Sequence, residues 1–134
     1  MKILLDEQLS SDLLFYFPSS FQIFTPIELG WSGLTNGILR EKLNEHNYQF
    51  LISADKNMPF QQNFNKMNYS VILLDTPTME RVNQLLFVEK VSNFLSNLPT
   101  PLPKLVWVNI EGFAAVEKIQ SIQKVLSPDQ ILFI

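Results

Sequence analysis

Three short apolar segments of this 134-residue chain end in carboxylates: Lys2-Ile3-Leu4-Leu5-Asp6-Glu7, Phe50-Leu51-Ile52-Ser53-Ala54-Asp55 and Val71-Ile72-Leu73-Leu74-Asp75. In an open parallel sheet the strand ends on one edge form the ligand crevice. Acids grouped there repel one another unless a cation sits between them, and Mg²⁺ is commonly held by one or two carboxylates plus water. Asp6 and Asp55, each directly after such a run, are therefore the leading candidates for metal ligation and catalysis. The competing roles are an N-cap for Asp6 and turn chemistry for Asp55. Glu7 is either a further metal ligand or a capping acid. Glu41 and Glu45 stand at i and i+4 on a predicted helix, and Glu41 is the one that could turn towards the site. Asn57 and Asn36 are candidate substrate contacts, Asn57 by donating to a phosphate or orienting a water. Asp75, before Thr76-Pro77-Thr78, reads better as a cap or turn residue, and Glu28 as a loop-surface acid.

Other chemistries find no support. There is no cysteine, so thiolate zinc sites, disulfides and cysteine nucleophiles are excluded. The single histidine, His46, sits at a predicted helix end, where a cation suits the dipole; a histidine-rich zinc site is ruled out. No G-x-S-x-G elbow, Walker A loop or dinucleotide glycine pattern occurs. Trp31 and Trp107 read as core or loop anchors. Net charge is −3, with no broad basic footprint for nucleic acid, although local charge distribution matters more than the sum. Hydrophobic residues make up 46 % of the chain, enough for a packed core. The first strand follows directly on Met1 with no signal peptide, and no apolar run reaches membrane-spanning length, so a cytoplasmic protein is the default expectation.

The elements that must position these residues alternate between strand and helix. Lys2 to Asp6 reads as a buried strand, Leu9 to Phe17 as a helix stopped by Pro18, and Phe21 to Phe24 as a strand. A loop spans Thr25 to Gly33. Thr35 or Asn36 caps a helix running to about His46, and Phe50 to Ala54 forms a strand. A loop or irregular helix covers Asp55 to Asn63, and a strand runs from Ser70 to Leu74. Thr78 caps an amphipathic helix ending near Leu98, and Pro99-Thr100-Pro101-Leu102-Pro103 is a rigid bend. Lys104 to Ile110, Val116 to Val125 and Ile131 to Ile134 read as strand, helix and strand. The expectation is one α/β domain over residues 1–134, a three-layer sandwich with a mainly parallel central sheet and helices on both faces. Exposed apolar residues in the last helix or strand would suit a homodimer.

The same segments resemble a known family. Met1-Lys2-Ile3-Leu4-Leu5-Asp6-Glu7-Gln8-Leu9 is similar to the opening M-K-I-L-L-D-E-N-L of small bacterial PIN-like proteins, related to VapC-type toxin ribonucleases. Glu28-Leu29-Gly30-Trp31-Ser32-Gly33-Leu34-Thr35-Asn36-Gly37 resembles that branch's E-L-G-W-x-G-L-K-N-G, and Asp55-Lys56-Asn57-Met58-Pro59-Phe60-Gln61-Gln62-Asn63 its D-K-N-L-x-Y-Q-Q-N. The resemblance implies a PIN-like sandwich whose acidic pocket binds Mg²⁺ or Mn²⁺ and cleaves RNA, with Asp6 and Asp55 on the metal, Asn57 nearby and an antitoxin protein as partner. Where the branch carries an acid after Asn-Gly, this chain has Ile38; Glu41, at i+3, is a partial substitute.

Two further readings stand beside it. Asp55-Lys56-Asn57-Met58-Pro59 also fits the phosphoacceptor motif of receiver domains, with Thr76 after a later strand. The Gly expected after Met-Pro and the Lys-Pro expected after the last sheet strand are both missing. With Ile38 in place of an acid, a non-catalytic PIN-like binding module is the third reading.

Overall fold

A computed structural model describes residues 1–110 and 116–134, with side chains in the second stretch from Ile119 onward. The centre is a six-stranded sheet: β1 (Lys2–Leu5), β2 (Gln22–Phe24), β3 (Phe50–Ser53), β4 (Ser70–Asp75), β5 (Leu105–Asn109) and β6 (Ile131–Phe133), in the order β2-β1-β3-β4-β5-β6. Every pairing is parallel. The four inner strands are almost wholly buried, which is why they read as apolar runs without alternation; the edge strands β2 and β6 are partly exposed.

Successive side chains point to opposite faces. On one face Ile3, Leu5, Phe50, Ile52, Ile72, Leu74, Val106 and Val108 pack under Leu9, Leu13 and Phe17 and under α4 (Arg81–Ser96), through Phe87, Val91, Phe94 and Leu95. On the other, Leu4, Leu51, Val71, Leu73, Leu105 and Trp107 meet Leu43 of α2 (Asn36–Glu45), Met58 of α3 (Met58–Gln61), Phe64 and Met67, and Ile122 and Leu126 around α5 (Val116–Val125). The fold is thus an α/β three-layer sandwich. Among the described residues no helix is long and apolar enough to cross a membrane.

Local chemistry reshapes several predicted elements. The segment after β1 is a 3-10 helix, Ser11–Tyr16, capped by Ser10. Leu13 and Phe17 still point inward, so the apolar spacing is met by a tighter coil. The predicted loop from Thr25 contains a four-residue helix, α1 (Pro26–Leu29), closed by a Thr25–Glu28 capping box, which gives Glu28 a capping role. Gly30 ends it at φ 72°, a conformation that glycine adopts without strain. Thr35, not Asn36, caps α2. Helix α4 starts at Arg81 with Glu80 at its N-cap, later than Thr78. Thr78 instead accepts, through its carbonyl and hydroxyl, the amide protons of the buried Asn83 side chain.

Candidate functional site

The strand order has a switch point. The chain leaves β1 for β2 on one side and returns to β3 on the other, so a crevice lies beyond the C-terminal ends of β1 and β3. Asp6 and the Ser53-Ala54-Asp55 segment occupy these two ends. The Asp6 N–H donates to the Ile52 carbonyl at 2.8 Å, extending the ladder by one residue and setting Asp6 beside Ser53.

Alternation turns Asp6 and Ser53 to the same face, where Ser53 Oγ donates to Asp6 Oδ2 at 2.8 Å. The same hydroxyl accepts from the Asp55 N–H at 3.1 Å, and Asp55 Oδ1 accepts from the Asn57 N–H at 3.1 Å. Ser53, fully buried, therefore ties the two acidic segments together. Burial pushes the Asp6 carboxyl above its ordinary value. The Ser53 hydroxyl and the Glu7 N–H pull it down, the charges of Glu7 and Asp55 push it further up, and the net direction is upward. On the same face the buried Tyr69 phenol is pushed up to about 12, chiefly by burial, with Arg40 opposing and Asp6 adding to the shift.

The other candidate residues have varied fates. Glu7 turns to the glycine loop: Oε2 accepts from Ser32 Oγ at 2.9 Å and Oε1 from the Gly33 N–H at 3.2 Å. It pins the loop between α1 and α2 to the end of β1. Glu7→Ala is expected to cost about 1 kcal/mol and to raise amide hydrogen exchange at Ser32 and Gly33 while the β3 and β4 amides stay protected; unchanged exchange in the loop would show the tie to be idle. Glu41 is exposed on α2, and the charges that act on Asp6 are those of Glu7 and Asp55. Asn36 and Asn57 are exposed, and Asn57 contributes its backbone N–H rather than a side-chain cap. Ile38 is 45 % exposed in the first turn of α2. His46 ends α2 and lies against Trp31, with ring centroids 5.3 Å apart. Among the described residues no group of three or more acids, histidines or cysteines is arranged to hold a metal ion.

Asp75 departs most from its expected turn role. It is 1 % exposed at the end of β4. Its Oδ1 pairs with Lys56 Nζ at 3.0 Å and its Oδ2 accepts from the buried Trp107 indole N–H at 3.0 Å. Lys56, one residue past Asp55, is thereby fixed across the β3 and β4 ends. A cavity of about 300 Å³ opens on the β2 side of Asp6, between Asp6, Glu7, Ser10 and Ser11 and the Thr25–Ile27 segment.

Ser53 and the Lys56–Asp75–Trp107 group are the parts that pattern reading passes over. Ser53 leaves one trace, a hydroxyl closing an otherwise apolar strand. The ion pair leaves none, because it joins residues far apart in the chain. No family model matches the chain, and no curated protein or solved structure is detectably similar to it.

Proposed function

We propose that this chain is a PIN-like, metal-dependent ribonuclease working at the β1/β3 crevice, with Asp6 and Asp55 as the carboxylates that would hold Mg²⁺ or Mn²⁺. The supporting observation is the electrostatic conflict at the switch point: a partly buried Asp6 whose carboxyl is raised by burial and by the neighbouring charges of Glu7 and then Asp55. A bound cation relieves that conflict, and two carboxylates with water suffice for Mg²⁺. The donor set, hard oxygens without nitrogen or sulfur, fits such an ion. Once bound, the ion would lower the pKa of a water and neutralise charge developing on a phosphodiester. The protein's own part is to orient Asp6 through Ser53 Oγ and to hold Asp55 Oδ1 on the Asn57 N–H, leaving Asp55 Oδ2 without a partner among the described residues. In this reading the physiological setting is a toxin–antitoxin pair, with RNA as substrate and a small protein as antitoxin.

A ligand that binds only the folded state raises the melting temperature. Millimolar Mn²⁺ is therefore expected to stabilise the wild type, by about 2.7 kcal/mol at a hundred times its Kd, and to leave Asp6→Asn and Asp55→Asn unmoved. Wild type should cleave single-stranded RNA in Mn²⁺ but not in EDTA.

Two observations keep other readings in play as outcomes of these assays. The order β2-β1-β3-β4-β5 is shared with receiver domains, and labelling of Asp55 by acetyl phosphate would favour a phosphoacceptor. The absence of a third convergent acid among the described residues favours a non-catalytic module, which predicts neither a thermal shift nor cleavage.

A further inference from the structure

We propose that Lys56 is the residue that receives the substrate's phosphate at this rim, and that Asp75, locked by Trp107, is its positioning residue. The inference rests on the ribonuclease reading and adds the backbone contact that reading lacks. Carboxylates alone repel a polyanion, and Lys56 is the cation the fold fixes beside Asp55.

The geometry is that of a held side chain. A lysine ammonium has three donors on a flexible stem. One Lys56 donor goes to Asp75 Oδ1, and the others have no partner among the described residues. The side chain is 35 % exposed, so those donors reach the open rim, whereas the Asp75 side chain is 2 % exposed and unavailable to ligand. Trp107 takes the second Asp75 oxygen and stops the carboxylate from rotating. A buried ion pair is a poor source of stability, since apolar residues of similar volume often do as well or better. What it does provide is direction. A lysine already ordered before substrate arrives loses less freedom on binding.

The test is a salt titration of a fluorescein-labelled single-stranded RNA dodecamer in Ca²⁺ buffer, read by anisotropy. The proteins are wild type, Lys56→Gln, Lys56→Arg, Asp75→Asn and the double variant Lys56→Gln/Asp75→Asn. The double variant removes the pair without leaving a buried charge alone, and it retains an acceptor for Trp107. Losing one phosphate contact flattens the plot of log affinity against log salt by about 0.7 for a single strand. Lys56→Gln and the double variant are expected to show that flattening with an affinity loss of roughly tenfold. Lys56→Arg should retain the wild-type slope. Asp75→Asn should weaken binding while keeping the slope, because the cation remains but is no longer held. Wild-type binding with an unchanged slope in the folded double variant overturns the role of Lys56 and leaves the ribonuclease reading standing. No RNA binding by the wild type overturns both.

Discussion

Replacing Asp6 with Asn is expected to stop metal-dependent RNA cleavage and, at the same time, to make the metal-free protein more stable. The first effect should be at least about a hundredfold, since even partners behind a metal ligand change metal affinity or activity by 10- to 100-fold. The second follows from the raised carboxyl of Asp6. A carboxyl whose pKa is higher folded than unfolded binds its proton more tightly in the native state, so its ionisation costs stability. That cost is absent below the unfolded pKa of about 3.9 and grows as pH rises through the folded value. Asparagine keeps an acceptor for Ser53 Oγ and carries no charge. The stability difference between Asp6→Asn and wild type should therefore be largest at neutral pH and close on acidification towards pH 4, as measured by urea unfolding in EDTA. A variant that melts lower than wild type at neutral pH, or that cleaves RNA at the wild-type rate, would remove Asp6 from the centre of the proposal.

The second large effect is an asymmetry between the half-exposed Lys56 and the buried Asp75 of the ion pair. Lys56→Met leaves the Asp75 carboxyl almost inaccessible and, among the described residues, with the Trp107 indole as its remaining side-chain partner. Stranding a buried charge costs roughly 3–5 kcal/mol, and the lower end suits a carboxylate that keeps one donor. Asp75→Asn strands only Lys56, which can turn its ammonium to water, and the new carboxamide still accepts from Trp107; a loss of about 1 kcal/mol is expected. The double variant Lys56→Met/Asp75→Asn should recover most of the Lys56→Met loss, giving a coupling energy that a double-mutant cycle measures directly. Equal losses for the two single variants would mean that water reaches Asp75 and that the pair does not fix the lysine.

What could be read from the chain divides along physical lines. Burial on both faces leaves an unmistakable mark, so the inner strands stand out as apolar runs. Their alternation with helices then implies a parallel three-layer fold. That Asp6 and Asp55 would lie at neighbouring strand ends was legible because strand ends in such a fold share an edge. The helix boundaries were less so: a capping hydroxyl such as Thr78 looks the same in sequence whether it starts a helix or, as here, holds the Asn83 amide just before one. The role of Asp75 was hidden for a stronger reason. Its partners come from a loop after β3 and from the middle of β5, and only the register Leu73↔Trp107 brings the indole beneath the carboxylate. Glu7 shows the same limit, since its bond to Ser32 and Gly33 depends on a loop closing over the strand end.

The parallel sheet also governs when the crevice can come into being. With every pairing parallel, no two strands can zip together from a tight hairpin, and β1 finds its inner neighbour only when Ile3 meets Phe50. Pairings so distant in sequence are slow to form, because loop closure must precede the contacts that reward it. Asp6 and Asp55 lie on opposite sides of that late seam. Asp6 is therefore synthesised well before Asp55, and the rim that carries both is complete only once β3 has docked beside β1.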